Sequence, residues 1–589
     1  MKVLLIFPPI SDPRAPHLAQ SCLAAKLRGE GHEVHLWDLD LELSLKLLEP
    51  DNLLRTLDRC KEKMAAIDRK TKKEYEDASY WHHLNKAYRS MADIPKDIGK
   101  ALQILRSDAF YDRKQFRWAR RSINGALNLV SVSHHPHLNY QMDGQVFETV
   151  YRADSLYDLK KAVLDDEANL FGHLYDQYVL PRISQLNPQF IGISILNYQQ
   201  IIPGFTISHR LMQKGWPVFI GGTLFVKFIK EIQQDIQFFD FCRGLIIYEG
   251  ETALSKLLAA MERGEGFESA PNLLHPVEKT SKLNSTIILE DLNQLPTPDF
   301  NGLPLNAYLA PRIVLPFNLG KGCHWNRCYF CEIPFINNRT KQNFRIKEVS
   351  LIVDQLEELS LKYNTPYFQF TDESCHPDVL AAIADKTLER KLNIRYICYA
   401  RFDYGFSEKL CKHLYRAGCR KILFGLESGS QRILDMVNKG ISVDQAEKTL
   451  RNCTGAGIRF RVFAMIGLPH ETVEEAMETF NFFKRNKDLF ISPFNHFEFS
   501  PFHLDRHSPF GREPDKHALH SLSGNENPFS LGGWSFETDE GMSIKRMKKV
   551  YREITLELYN LLEVEKKYSG WEEYALLSID RRDVPPPQQ

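Results

Sequence analysis

Three thiols fall within nine residues in the stretch Gly320-Lys321-Gly322-Cys323-His324-Trp325-Asn326-Arg327-Cys328-Tyr329-Phe330-Cys331. Thiolates are the ligands of iron–sulfur clusters and of zinc. A structural zinc takes four ligands. His324 adjoins Cys323, but four donors packed this tightly are awkward, and no second cysteine pair follows nearby. A [4Fe-4S] cluster has one iron more than three cysteines can hold. An iron left open can bind a small molecule through oxygen and nitrogen atoms, which is catalytic ligation. Three inert buried thiols are the plainer alternative, and such thiols are not expected to crowd a glycine-bounded loop. Cys323, Cys328 and Cys331 are therefore read as metal ligands.

The elements around this loop have an α/β rhythm that starts at Ile313 to Leu319. Further strands are expected at Tyr367–Phe370, Ile394–Tyr399, Lys421–Phe424, Arg459–Ile466 and Phe497–Phe499. Helical patterns separate most of them, the clearest with Val349, Ile352, Val353 and Leu356 on one face. Roughly six strand–helix steps imply a partial (β/α)6 barrel over residues 305–510, with chemistry at the strand C-termini. At those ends lie Asp372-Glu373, Arg401, Gly425-Leu426-Glu427-Ser428-Gly429-Ser430 and Ile466-Gly467-Leu468-Pro469-His470-Glu471-Thr472. Each has a bland reading too: solvated charges for Asp372, Glu373 and Arg401, and a helix-entry turn capped by Ser430 for the Gly425 segment.

Residues 1–270 read as a Rossmann-like domain, with a mostly helical, highly charged insertion at about 45–180. Lys2–Phe7, Glu33–Trp37, Phe190–Ile195 and Pro217–Ile220 are short apolar runs alternating with helical patterns, as in an open parallel sheet. Gly29 or Gly31 should end the helix that begins near Leu18. Gly221-Gly222 follows a strand, where a missing side chain admits a large ligand. There is no Gly-x-Gly-x-x-Gly, so a dinucleotide is disfavoured. The run Ser133-His134-His135-Pro136-His137 reads as a surface loop. Residues 271–304, with Pro296 and Pro298, read as a linker, and 511–589 as a small C-terminal helical region. Its last residues, Pro585 to Gln589, are expected to be disordered.

Acidic and basic residues balance at 75 each, so no broad polyanion-binding face, and no nucleic-acid partner, is indicated. No apolar run is long enough to span a membrane, and Met1 to Ile10 reads as a strand and not as a signal peptide. Eleven scattered cysteines fit a reducing, cytoplasmic setting better than a disulfide framework.

The cysteine loop resembles that of the radical S-adenosylmethionine (SAM) superfamily, and in particular of its members with an N-terminal cobalamin-binding domain. Most members have three residues between the first two cysteines; here there are four, His324 to Arg327, and His324 stands where an aromatic is usual. The resemblance implies that Phe330 packs beside the adenine of SAM. It implies that Glu427 and Ser428 bind its ribose and amino-acid end, and that Gly467 and Leu468 lie under the adenine. Asp372 or Glu373 would bind the ammonium or accept a proton, and Arg401 would pair with the carboxylate. The first domain is similar to a cobalamin-binding Rossmann domain over Met1–Ser44 and Pro181–Glu262, which implies cobalamin contacts at Ser194, Gly221, Gly222, Glu249 and Gly250. The Asp-x-His-x-x-Gly of the best-known cobalamin fold does not occur, so the lower ligand of cobalt has no assignment.

The activity so implied is reductive cleavage of SAM at a [4Fe-4S] cluster and methylation of an unactivated carbon in a natural product, peptide or small metabolite. An electron donor such as flavodoxin or ferredoxin is the implied partner. A rearrangement or cyclisation with the same cofactors is the second reading. Methylthiolation would need another three-cysteine set, and only Cys22, Cys60 and Cys242 precede the loop. A non-catalytic zinc-stabilised binding protein is the reading from another class. Trp534, in the tail, is a candidate for closing over the substrate.

Overall fold

The structure is a computed structural model that describes residues 1–135, 138–141, 146–340, 344–524, 534–568 and 570–579. Pro136, His137 and the tail Pro585–Gln589 lie outside them. Two compact units form. One is built on Met1–Glu290 and Leu295–Ile313, the other on Asp291–Gln294 and the described residues from Val314 onward.

In the first unit, β1 (Lys2–Phe7) and β2 (Glu33–Asp38) flank the helix Leu18–Gly29, and Gly31 follows it at φ 88°. The insertion holds the helices Pro50–Asp68, Tyr75–Met91, Ile94–Leu105 and Arg113–Ser133. It also holds an antiparallel hairpin, β3 (Leu138–Gln141) with β4 (Val146–Thr149), which the helical expectation did not include. Leu57, Cys60, Ile67, Leu84, Ala87 and Leu129 give part of the insertion a core of its own. The sheet resumes with β5 (Phe190–Ser194), β6 (Val218–Gly221) and β7 (Gly244–Ile246). Residues expected to be linker supply β8 (Leu273–Val277) and β9 (Thr280–Leu283), which turn antiparallel. Strand order is β2-β1-β5-β6-β7-β8-β9, parallel from β2 to β7. All but the first residue of β1 are buried, as expected of a strand covered on both faces.

The segment Leu295–Ile313 is fastened within this first unit. Arg28 pairs with Asp299 at 2.6 Å, and the Tyr308 hydroxyl donates to Asp38 at 2.7 Å. Burial of Asp38 pushes its carboxyl up to about 6, against the pull of that hydroxyl.

The second unit is a six-stranded all-parallel sheet: β10 (Leu315–Phe317), β13 (Tyr367–Phe370), β14 (Arg395–Arg401), β15 (Cys419–Glu427), β16 (Arg459–Ile466) and β17 (His496–Pro501), in that order. β11 (Gly320–Gly322) and β12 (Phe344–Ile346) form an antiparallel ribbon beside it. Among the described residues, β10 and β17 each pair with a single neighbour, so the barrel is partial. The C-terminal region is not wholly helical: β18 (Leu519–Ser523) pairs with β19 (Ser535–Thr538) before the helices Ile544–Leu561 and Glu572–Ser578. In the helix Ile544–Leu561, Met547, Val550, Ile554 and Leu558 are buried, on one helical face.

Candidate functional site

The cysteine loop leaves the sheet through the β11–β12 ribbon. A Cβ on Gly320 would meet the Arg345 carbonyl at 2.2 Å, so only glycine lets the two strands approach this closely. Within the four-residue gap, Asn326 takes the left-handed conformation, φ 50°, which Asn tolerates better than most residues. Cys328 is buried, and Cys323 and Cys331 are half-buried. Burial pushes the Cys328 thiol up, with Lys439 and Arg401 pulling it back. It pushes Cys331 up to about 12.

A strap, Val437–Gly440, grips this loop. The Tyr329 amide donates to the Val437 carbonyl at 3.0 Å, and Trp325 Nε1 donates to the Asn438 carbonyl at 2.7 Å. Asn438 Nδ2 donates to the Arg327 carbonyl at 3.1 Å. Gly440, at φ 69°, lies so close to the Trp325 ring that a Cβ would come within 2.1 Å of it. None of these strap contacts was read from the sequence. The available signal was the Asn438-Lys439-Gly440 turn just after the Gly425–Ser430 segment.

Arg401 is buried beneath Trp325, its guanidinium 4.6 Å from the ring centre. It donates to the Lys439 carbonyl and pairs with Asp403 at 3.3 Å. Asp403 in turn lies 3.0 Å from His324. Its carboxyl is held below the usual range because His324 and Arg401 outweigh its burial. Two of its guanidinium nitrogens, Nε and Nη2, are thus engaged with Asp403 and the strap. Asp372 is engaged with the chain as well. It is buried, and its carboxylate accepts from the Leu319 amide at 2.9 Å and the Gly320 amide at 2.7 Å. Burial pushes it up to about 7 despite those two bonds. Glu373 beside it is exposed.

Glu427 ends β15 at φ 69°, where the register with β16 shifts. Its carboxylate accepts from Lys439 Nζ at 2.7 Å. Ser428 is fully buried; its hydroxyl lies 3.3 Å from that of Thr479 and accepts from the Ser430 amide at 3.1 Å. Ser428 therefore shapes the turn instead of presenting its hydroxyl outward. Ser430 is the helix N-cap residue by position, without a capping side-chain bond.

Gly467, at φ 91°, makes room for Met547, which a Cβ would meet at 2.2 Å. Leu468 is buried in an apolar cluster with Ile433, Val437, Phe502, Leu504, Phe510 and Leu519. Phe330 and Trp534 both pack on that cluster, so the tail residue expected to close over the site shares an apolar mass with the loop aromatic. His470 is left-handed, φ 60°, a conformation that glycine adopts at less cost.

In the first unit, Ser194, Gly221 and Gly222 stand together at the ends of β5 and β6. Gly222 corrects the expectation for that glycine. At φ 139°, a Cβ would collide with the Ile195 carbonyl at 1.8 Å, so its missing side chain accommodates backbone and not a ligand. At Gly221 a Cβ would meet nothing nearer than the Ile246 carbonyl at 3.7 Å, which leaves room in front of the strand. Glu249 accepts from the Glu290 amide at 2.6 Å, and Gly250 is the N-cap residue of the helix Glu251–Glu262. Both are thereby tied to local structure.

Among the described residues, no three His, Cys, Asp or Glu side chains are gathered tightly enough to hold one metal ion. A zinc ion needs its donors about 2.3 Å away, whereas a four-iron cluster takes each thiolate on a separate iron. Three thiols on one loop, backed by the buried cations Lys439 and Arg401, suit an anionic cluster better than a closed zinc site.

A Rossmann-like α/β unit followed by a partial parallel (β/α) barrel, with three thiols on the loop after its first strand, defines the class. Residues 317–483 match the Radical SAM superfamily, and the chain carries that domain. Among curated relatives, an uncharacterized methyltransferase of Pyrococcus horikoshii is 27% identical over 244 residues, 40% of this chain and 51% of its own length. The anaerobic magnesium-protoporphyrin IX monomethyl ester cyclase of Rubrivivax gelatinosus is 23% identical over 326 residues, 52% of this chain and 56% of its own. The chain thus spans about half the length of these curated relatives. Among solved structures, the radical SAM methyltransferase TsrM from Kitasatospora setae, with cobalamin and a [4Fe-4S] cluster bound, has the same fold. Its TM-score is 0.54 at 15% identity, over 95% of this chain and 89% of that one. No helix among the described residues is long and apolar enough to cross a membrane.

Proposed function

We propose that the chain is a cobalamin-dependent radical SAM enzyme that methylates an unactivated carbon of a natural product, peptide or small metabolite. The observation that carries this reading is the cysteine loop locked onto the strap Val437–Gly440 inside the matched radical SAM segment. A three-cysteine [4Fe-4S] cluster supplies one-electron cleavage of SAM to methionine and a 5′-deoxyadenosyl radical, and cobalamin supplies a transferable methyl group.

The chain's own residues hold and orient. Cys323, Cys328 and Cys331 would hold the cluster. Glu427, aimed by Lys439, would take the ribose or amino-acid end of SAM, and Phe330 with Gly467 and Leu468 would bound its adenine. Asp372 and Arg401 act indirectly, by fixing the start and the middle of the cysteine loop, and exposed Glu373 is the carboxylate left to meet an ammonium. In the first unit, Gly221 and Ser194 would face cobalamin, with Gly222, Glu249 and Gly250 shaping the surrounding turns. A one-electron donor such as flavodoxin or ferredoxin would serve it, in a reducing, cytoplasmic setting.

The name of the Rubrivivax relative favours a second reading, ring closure without net methyl transfer. Anaerobic reconstitution with iron and sulfide tests both. The expected result is iron and sulfide uptake, a bound-corrinoid spectrum, 5′-deoxyadenosine from SAM, and a product heavier by one CH₂ unit. A product without that added mass would replace methylation by cyclisation. Zinc in place of iron would end the radical reading.

A further inference from the structure

The turn after β16 is closed by one residue in three ways. The Glu471 amide donates to the Leu468 carbonyl at 3.0 Å, and its carboxyl Oε2 accepts from the Gly467 amide at 2.5 Å. Its carbonyl accepts from the Met542 amide at 2.8 Å, which ties the turn to the segment ahead of the helix Ile544–Leu561. The first two bonds enclose Gly467 and Leu468, the residues assigned above to the adenine of SAM. The Glu471 side chain is fully buried, and its Oε1 has no hydrogen-bond partner among the described residues.

No cation neutralises this carboxyl. Arg432, on the helix Gln431–Met436, directs its guanidinium to both oxygens of Glu475 and to the His470 carbonyl. The other titratable groups around the turn are Glu475 on the helix Val473–Arg485, Glu540 ahead of the helix Ile544–Leu561, and the histidines His470 and His517. His470 Nε2 donates to the His517 carbonyl at 2.8 Å. Among the described residues, none of these forms an ion pair with Glu471. A carboxylate buried without a cation is costly, and the group takes a proton instead. Burial accordingly pushes Glu471 up to about 8, against the pull of the Gly467 amide.

We propose that Glu471 is a positioning residue for SAM: as an uncharged acid it locks Gly467 and Leu468 in the shape that the adenine meets, and its ionisation releases them. The inference rests on the SAM reading above. The protonated side chain accepts the Gly467 amide bond while carrying no charge that needs water. An ionised one either stays dry and unpaired or swings toward solvent, and the second course breaks the Gly467 bond and frees the turn. The folded value lies above the ordinary 4.5, so the contribution of Glu471 is fully present below about pH 4.5 and is lost as pH rises through about 8.

The test is equilibrium dialysis of the anaerobically reconstituted full chain against radiolabelled SAM, without reductant, at pH 7 and pH 9, with binding expressed per cluster. SAM has an amine that titrates in this range. The wild type is therefore compared with Glu471→Gln, which meets the same ligand, keeps an acceptor for the Gly467 amide and cannot ionise. Between pH 7 and pH 9 the wild-type affinity should fall about tenfold more than that of the Gln variant, as expected one pH unit past the midpoint of a single ionisation. Glu471→Ala leaves the Gly467 amide unbonded and should bind SAM more weakly than Glu471→Gln at pH 7, with no steeper fall by pH 9. Equal pH dependence in the wild type and Glu471→Gln would overturn the proposal, as would Glu471→Ala binding as tightly as Glu471→Gln at pH 7. Where the Ala variant does not fold, the comparison of wild type with Glu471→Gln decides alone. A wild type that takes up its cluster and binds no SAM at pH 7 defeats the function reading itself.

Discussion

The two ends of the second unit's parallel sheet both bury charge, but they spend it differently. At the N-terminal ends of β15 and β16, Lys421 and Arg461 meet Glu572 and Glu573 of the helix Glu572–Ser578. Lys421 Nζ lies 3.3 and 3.1 Å from the two carboxylates, as ion pairs without hydrogen-bond geometry, while Arg461 donates to Glu572 at 2.6 Å. Burial pushes Glu572 up, but Lys421 and Arg461 more than offset it and hold it well below the usual carboxylate range. Burial leaves His496 near 4. Arg395 and Lys567 tie the same segment down by donating to carbonyls, Arg395 to Leu577 at 3.2 Å and Lys567 to Asn495 at 2.8 Å. Charge there is consumed by charge, and the end is sealed. At the C-terminal ends, Asp372 and Arg401 bind backbone groups of a loop or strap, Arg401 also pairs with Asp403, and Lys439 pairs with Glu427. One end is closed by a buried cluster of two carboxylates and their cations; the other uses its charges to hold a loop and a strap in shape.

The largest effect that would break this contrast is on the open end. Replacing Cys323, Cys328 and Cys331 by Ala should abolish iron binding and 5′-deoxyadenosine formation while leaving thermal unfolding of the metal-free chain nearly unchanged; retained iron would refute the assignment. Next is the sealed end. Glu572→Gln leaves Lys421 and Arg461 short of a partner and should destabilise the fold by about 3–5 kcal/mol in denaturant titration, with SAM cleavage per folded molecule unaltered. Gly440→Ala drives a methyl into Trp325 and should cost about 1–3 kcal/mol, together with faster loss of iron to a chelator. An unchanged chelation rate would mean the strap does not hold the loop.

The smallest effect concerns pH. The folded value of Asp372, about 7, lies above its ordinary 3.8, so the folded chain binds the extra proton between them. That contribution to stability is fully present below about pH 4 and is lost as pH rises through about 7. Asp372→Asn should therefore flatten the wild-type decline in melting temperature over that window, and a parallel pair of curves would contradict it.

Legibility from sequence followed the range of the interactions. The strands Tyr367–Phe370 and Arg459–Ile466 were read to the residue, because a parallel strand buried on both faces is a local apolar run. The β8–β9 pair was missed because Pro296 and Pro298 downstream signalled a linker, while pairing with β7 is a long-range event. Gly222 was noticed for the right property, a missing side chain, and given the wrong neighbour. Arg401 and Asp372 were placed correctly at strand ends, but which atoms their charges meet depends on loops distant in sequence.

The sequence by itself settled the donor chemistry, the α/β alternation and the strand ends at which polar groups collect, because thiol spacing and apolar periodicity are local properties of the chain. Only the tertiary structure decided that Val437–Gly440 clasps the cysteine loop and that the helix Glu572–Ser578 seals the opposite end. Those outcomes depend on hydrogen bonds and fields between segments more than a hundred residues apart, which no local pattern encodes.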